Sequence, residues 1–289
     1  MFAGTGTALI TPFSKDGSVD EEALRRLVNF QEENGVNTLV PCGSTGESAM
    51  MSYEEHLRVI SIVVDEAKKA KVLAGAGSNC TSEAVILSKK AEDLGADGIL
   101  SISPYYVKPT QEGIYLHYKA IEEAVDCPII VYNIPGRTGS NITVDTLLRL
   151  AELPGIVGVK EASGNMSQIQ NIIAKRPKGC EVLSGDDSIT LALMSMGADG
   201  VISVASNCCP GLVSEMVNNA QSDKFEIAKS IHNKLLPLFG ALFCESNPIP
   251  IKYVMGTMGY GNGFPRLPLT PLSDSGKAVL DPILRELGI

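Results

Sequence analysis

The chain has 289 residues, 44% hydrophobic and 20% charged, and its 24 Lys and Arg against 33 Asp and Glu give a net charge of -9. That much apolar sequence supports a substantial core, and the acidic balance disfavours nucleic acid and an anionic membrane as partners, which points to small molecules. The start MFAGTGTALITPF has neither the basic residues nor the long apolar core of a signal peptide, and no apolar run reaches membrane-spanning length, so the expected location is the cytoplasm.

Short apolar runs alternate with helical patterns. The first strand is expected over Gly6–Ile10, followed by a helix opened by Asp20 with Leu24, Leu27 and Val28 on its apolar face, stopped at Gly35. Thr38–Val40 reads as the second strand. Ser52 and Glu55 then form a capping box for a helix to about Lys69. Further strands fit Val72–Ala76, Gly98–Ile102, Pro128–Tyr132, Ile156–Lys160, Glu181–Ser184 and Gly200–Ser203. A weak repeat, LGADGIL at 94 to 100 and MGADGVI at 196 to 202, precedes the fourth and the eighth of these. Eight β/α units with continuously apolar strands call for a parallel sheet closed into a (β/α)8 barrel with helices over its outer face. A doubly wound open sheet is the alternative arrangement of the same elements. The barrel is expected over residues 1–207, its helices extending to about 225, and residues 208–289 read as an added helical region with Pro-rich joints at 248 to 250 and 265 to 271.

Barrel sites lie at the C-terminal ends of the strands, and here those ends are polar. They carry Gly43-Ser44-Thr45-Gly46-Glu47-Ser48, Ser103-Pro104-Tyr105-Tyr106, Tyr132-Asn133 with Arg137 beyond, Lys160, and Gly185-Asp186-Asp187. Lys160, alone among small and β-branched residues at a strand's end, is a candidate nucleophile: a partly desolvated lysine loses its proton near neutral pH and attacks carbonyls, although most lysines at strand ends simply reach for solvent. GSTGES lacks the Gly-Lys-Ser/Thr of a phosphate loop and has Cys42 where a hydrolase elbow needs glycine. It remains a tight turn whose N–H groups and hydroxyls suit a carboxylate or oxyanion. GAGSNC at 75 to 80 is a broken dinucleotide fingerprint and is discounted. Arg137, set in PGRTG, offers a guanidinium fork for a substrate carboxylate.

Tyr105, Tyr106 and Tyr132 gain weight only from their shared location, since tyrosine is as often core filler. Asp186 and Asp187 read more readily as caps of a following helix than as cation ligands. His56, His117 and His232 fall inside helical patterns far from the strand ends, which speaks against a histidine triad or a metal-dependent aldolase. Seven scattered cysteines without C-x-x-C spacing read as free thiols, with neither a disulfide framework nor a zinc site. No metal and no cofactor is expected.

Taken together, GTGTALITPF, GSTGES, SPYY, VYNIPGRTG, GVKEASG, LSGDD and NPIPIK, in this order and spacing over nearly the whole chain, resemble the dihydrodipicolinate synthases of the N-acetylneuraminate lyase superfamily. The resemblance implies a class I aldolase of lysine and diaminopimelate biosynthesis. Lys160 would form an imine with pyruvate, whose enamine attacks the aldehyde of L-aspartate 4-semialdehyde before cyclisation. It further implies that Tyr132, Ser44 and Tyr106 relay protons, Tyr106 coming from a neighbouring subunit. Thr45 would hold the carboxylate of pyruvate and Arg137 that of the semialdehyde, with the carbonyls of Gly185 and Ile202 shaping the pocket. A homotetramer of tight dimers is implied, with a feedback site for L-lysine at Ser48, Ala49, Tyr53, His56, Asn79, Glu83 and Tyr105. Two departures stand out. Serine replaces the usual threonine at Ser44, as in the neuraminate lyase branch, which keeps the hydroxyl but loses the stiffness of a β-branch. Tyr53 stands where several feedback-sensitive members have histidine or tryptophan. Another pyruvate-dependent lyase or aldolase on the same site, or a catalytically silent ligand-binding barrel, are the competing readings. The PGRTG arginine speaks against a neuraminate lyase.

Overall fold

A computed structural model describes residues 1–289. Eight strands, β1 (Gly4–Ala8), β2 (Thr38–Val40), β3 (Lys71–Gly75), β4 (Gly98–Ile102), β5 (Ile129–Asn133), β6 (Ile156–Glu161), β7 (Glu181–Ser184) and β8 (Gly200–Ser203), run parallel in sequence order. They close where Gly4 of β1 pairs with Gly200 of β8, so the (β/α)8 barrel stands and the open sheet does not. Helices α1 (Glu21–Glu33), α2 (Tyr53–Glu66), α3 (Thr81–Asp93), α4 (Gln111–Glu122), α5 (Pro135–Thr138), α6 (Val144–Leu150), α7 (Met166–Lys175), α8 (Thr190–Ser195) and α9 (Pro210–Gln221) connect and surround the strands. Three more, α10 (Phe225–Ala241), α11 (Ile249–Thr257) and α12 (Asp274–Leu287), complete the chain.

Local chemistry sets the boundaries. Asp20 caps α1 by accepting the N–H of Ala23, and Ser52 with Glu55 forms the expected capping box on α2. That helix ends at Glu66, short of Lys69, because Glu32 collects the N–H groups of Lys68, Lys69 and Ala70 outside any helical ladder. The first strand is shifted toward the N-terminus of its expected span, since the N–H of Ile10 leaves the ladder and donates to Asn207 Oδ1 at 3.0 Å. The two copies of the GADG repeat do the same work. Asp97 accepts the N–H of Val72 at 2.8 Å and Asp199 that of Val182 at 2.7 Å, each tying the entrance of one strand to its predecessor.

Side chains alternate along a strand, so Ile130 and Tyr132 of β5 and Gly158 and Lys160 of β6 face the barrel axis, while Val131 and Val159 face the helices. Nine buried residues fill the interior, among them Ala8, Val40, Leu73, Leu100, Leu183 and Ile202. The larger apolar cluster lies between the sheet and its helices. At the strands' N-terminal end Phe2, 1% exposed, plugs the barrel, and its N–H donates to Glu181 Oε2 at 2.8 Å. A Cβ on Gly98 would lie 2.7 Å from Phe2 Cζ, so the plug fits because glycine faces it. Replacing Phe2→Ala should cost about 3–5 kcal/mol, read as a lower thermal midpoint, by lost burial and the cavity left behind. An unchanged midpoint would mean that the plug contributes nothing.

Candidate active site

The parallel register of β5 and β6 sets Tyr132 beside Lys160 and Asn133 beside Glu161. Because both members of the first pair face the interior, Lys160 Nζ lies 4.4 Å from the centre of the Tyr132 ring. Lys160 is only 6% exposed. Burial pushes its pKa down to about 8, a trend that the Asp187 carboxylate opposes and the Arg137 guanidinium reinforces. The same burial pushes Tyr132 up to about 12 against the pull of Arg137 and of a hydrogen bond with Ser44. The phenol therefore stays protonated at neutral pH while the amine beside it gives up its proton readily. A Cβ on Gly185 would stand 3.1 Å from Lys160 Cε and 2.6 Å from Ala162 Cβ, so the lysine stem passes a point that only glycine leaves open.

Glu161 points the other way. Its carboxylate accepts the Ser163 N–H at 2.7 Å and Asn133 Nδ2 at 3.0 Å, which fastens the ends of β5 and β6 together one residue beyond the Tyr132–Lys160 pair. The capping expectation holds for Asp186 alone, which accepts the Ser188 N–H at 2.9 Å. Asp187 does not cap the helix. Buried, it accepts the N–H groups of Val204 and Ala205 at 3.0 Å each, tying the end of β7 to the chain beyond β8.

The turn after β2 forms the opposite wall. Cys42 and Glu47 both take left-handed backbone, with φ of 57° and 62°, and the N–H groups of Ser44 and Thr45 donate to no group of the protein. Two unused donors at a strand's C-terminal end are what a carboxylate or an oxyanion needs. Thr45 Oγ1 is held by Asn247 Nδ2 at 3.0 Å, and the carbonyl of the same asparagine accepts Arg137 at 2.8 Å. Asn247 thus joins two residues that the sequence reading treated separately, and that reading gave it no role. It also missed Lys252, which donates to the Glu47 carboxylate at 2.6 Å. One signal was available. A lone cation in the otherwise apolar run IPIKYVM of α11 needs a buried partner.

A cavity of about 470 Å³ runs from Ser44, Tyr132, Arg137 and Asn247 to Ser48, Ala49, Tyr53, His56, Glu83 and Tyr105. Asn79 is not in its wall; neighbouring Ser78 is, hydrogen-bonded to Glu83. Lys160, Gly185 and Ile202 belong to the barrel interior next to it, and Tyr132 is common to both. One expectation about histidine is corrected. His56 does lie on a helix, but it reaches a strand end, its Nε2 meeting the carbonyl of Gly75 at 2.7 Å, while His117 pairs with Thr81 on the helical layer. Tyr106 stays apart from the residues gathered within the chain. It is 87% exposed at φ 71°, a costly conformation for a residue with a Cβ, and its ring points to solvent. No helix is long and apolar enough to cross a membrane.

A readily deprotonated amine beside a phenol that keeps its proton is equipment for carbonyl chemistry, and the architecture puts the protein among the β/α-barrel enzymes. The chain belongs to the dihydrodipicolinate synthetase family, whose model matches residues 1–287. It is 55% identical over 289 residues to the 4-hydroxy-tetrahydrodipicolinate synthase of Chloroherpeton thalassium, covering 99% of this chain and 96% of that one. Among solved structures it resembles the chloride-inhibited dihydrodipicolinate synthase of Acinetobacter baumannii complexed with pyruvate, with a TM-score of 0.98 and 46% identity over 100% of both chains. The enzyme of Cyanidioschyzon merolae with lysine bound matches with a TM-score of 0.97 and 41% identity, covering 99% of this chain and 98% of that one.

The amine of Lys160 should titrate near 8, far from the ordinary lysine value of 10.5. Labelling by a small amine-reactive reagent, followed by peptide mass, should therefore rise as pH passes through about 8 and level off above it. Because the Arg137 charge favours the neutral amine, Arg137→Met should move that midpoint upward. A midpoint at the ordinary lysine value in the parent protein would refute the desolvated site.

Proposed function

We propose that the protein condenses pyruvate with L-aspartate 4-semialdehyde to give 4-hydroxy-tetrahydrodipicolinate through a Schiff base on Lys160. The observation that carries this reading is the buried Lys160 against Tyr132 at the end of β6, in a chain of this family. Its neutral amine attacks C2 of pyruvate, and loss of water from the carbinolamine gives the imine. Removal of a proton from C3 yields the enamine, which forms the new carbon–carbon bond at the semialdehyde's aldehyde carbon. The semialdehyde's own amine then attacks C2, closes the ring and releases Lys160.

Each neighbour has a part in this scheme. Tyr132 donates a proton to the departing hydroxyl and recovers it from Ser44, its hydrogen-bond partner. The free N–H groups of Ser44 and Thr45 receive the carboxylate of pyruvate, Arg137 that of the semialdehyde, and the carbonyls of Gly185 and Ile202 shape the pocket. Tyr106 completes the relay from a neighbouring subunit. Its solvent-facing ring on strained backbone supports that role, because such strain persists where a fixed projection is needed. The working assembly is accordingly a homotetramer built from tight dimers. L-Lysine binds in the outer half of the cavity, among Ser48, Ala49, Tyr53, His56, Glu83 and Tyr105. Glu83 supplies the countercharge for its amine.

Borohydride reduction in the presence of pyruvate should add a pyruvyl-derived mass to Lys160, and Lys160→Ala should abolish turnover while the barrel stays folded. An unmodified Lys160 after reduction would refute the mechanism. Isothermal titration should detect L-lysine binding that Glu83→Ala weakens, and an absence of heat at millimolar lysine would remove the feedback site.

A further inference from the structure

We propose that the buried Glu47–Lys252 ion pair is a positioning clamp: Lys252, from the C-terminal region, holds the Ser44–Thr45 turn in the register with Lys160 that pyruvate addition requires. The proposal rests on the reading of Lys160 as the nucleophile.

The pair joins residues 205 positions apart, and the two side chains are 1% and 0% exposed. Lys252 Nζ donates to Glu47 Oε1 at 2.6 Å and to the Thr11 carbonyl at 2.9 Å, while the Thr11 hydroxyl donates to the Gly46 carbonyl at 2.7 Å. The other Glu47 oxygen accepts the Arg266 N–H at 2.8 Å. Below them the Phe13 ring takes Lys252 Nζ 3.8 Å from its centre and the Arg266 guanidinium 4.3 Å from it. Every bond of this set ends on the turn or on a residue that touches it.

Stability alone does not account for such a pair. Removing two charges from water costs several kcal/mol per ion, and apolar residues of similar volume often serve a fold as well or better. Apolar contact is non-directional, however, whereas an ammonium with two directed bonds locates the chain on both sides of the turn. The turn needs that. Glu47 sits at φ 62°, which a residue with a Cβ adopts only where its surroundings over-determine it. Ser44 and Thr45 lie within three residues before it, with the two free N–H groups and the hydroxyl that meets Tyr132. A small shift at Glu47 therefore displaces the carboxylate-binding donors and the relay together, without touching Lys160.

The test compares the parent with Glu47→Met/Lys252→Met, which removes both charges and keeps apolar bulk, and with Glu47→Gln, which keeps volume and one acceptor. Borohydride trapping of Lys160 is measured against pyruvate concentration, alongside steady-state kinetics, the thermal midpoint and the pH profile of Lys160 labelling. The double variant should keep the midpoint and the labelling profile but need about 10- to 100-fold more pyruvate for half-maximal trapping, the penalty of a misplaced binding group, with kcat changing less than KM. Glu47→Gln should fall between. If the parent traps and folded variants trap at the parent's pyruvate concentration, the clamp is overturned and the functional reading stands. If the parent itself does not trap, the functional reading fails and takes the clamp with it. Failure of both variants to fold would make the pair a structural element and would also overturn the proposal.

Discussion

Barrel closure leaves Lys160 facing the interior, between the Tyr132 ring and the gap kept open by Gly185, where water cannot solvate an ammonium well. The rest of the site follows from that desolvation. A buried cation is costly, so the amine gives up its proton easily, and the same dry surroundings hold the Tyr132 phenol protonated. The two neighbouring charges pull in opposite directions. Asp187 favours the ammonium and Arg137 the free amine, which leaves Lys160 near neutrality instead of permanently charged or permanently neutral. A lysine one residue earlier or later on the same strand would face the helices and meet none of these groups, since the side-chain period of a strand is two.

Lys160 and its neighbours depend on different kinds of support. Lys160 and Tyr132 stand on paired central strands, and the Asn133–Glu161 bond locks those strands one residue further on. The groups suited to carboxylates stand on loops: Ser44 and Thr45 on a turn, Arg137 on the four-residue α5. Loops need help from elsewhere, and here it comes from the C-terminal region. Asn247 bonds both Thr45 and Arg137, and Lys252 bonds Glu47. The segment beyond the barrel is therefore part of the mouth's architecture, because the loops the barrel would otherwise leave free are fastened to it.

What could be read from residues alone follows the same division. The eight strands were legible because β-branched apolar runs with glycine stops have a clear period, and their C-terminal ends supplied the polar list that included Lys160, Tyr132 and Arg137. Caps at Asp20 and Ser52 were legible because they are local chemistry. Strand ends moved where a long-range side chain captured a ladder donor, as Asn207 does at Ile10, which no local pattern encodes. That His56 reaches a strand end is not legible locally, since its contact with the carbonyl of Gly75 depends on how α2 packs on β3. Asn247 and Lys252 of the motif NPIPIK have no role that sequence shows for the same reason: their partners stand 110 to 241 residues earlier. The phosphate-loop and dinucleotide readings fail on residue identities that sequence shows directly.

The length of β2 explains why the turn after it is held from so far away. With three residues it is the shortest strand of the barrel, and its paired residues end at Val40 on the β1 side and at Leu39 on the β3 side. A turn leaving so short a strand inherits little rigidity from the sheet, yet it carries the unused N–H groups and a hydroxyl at Tyr132. Packing supplies part of the missing restraint, since a Cβ on Gly75 would lie 2.3 Å from the Cys42 carbonyl and the turn therefore rests directly on β3. That contact fixes how far the turn lies from its neighbour, and the Gly75 N–H donating to the Pro41 carbonyl at 2.9 Å fixes where it starts, but neither stops its far end from sliding. Directed bonds to Gly46, Glu47 and Thr45 from Thr11, Lys252 and Asn247 restrain the sliding. A buried ion pair is therefore placed where the sheet itself provides least.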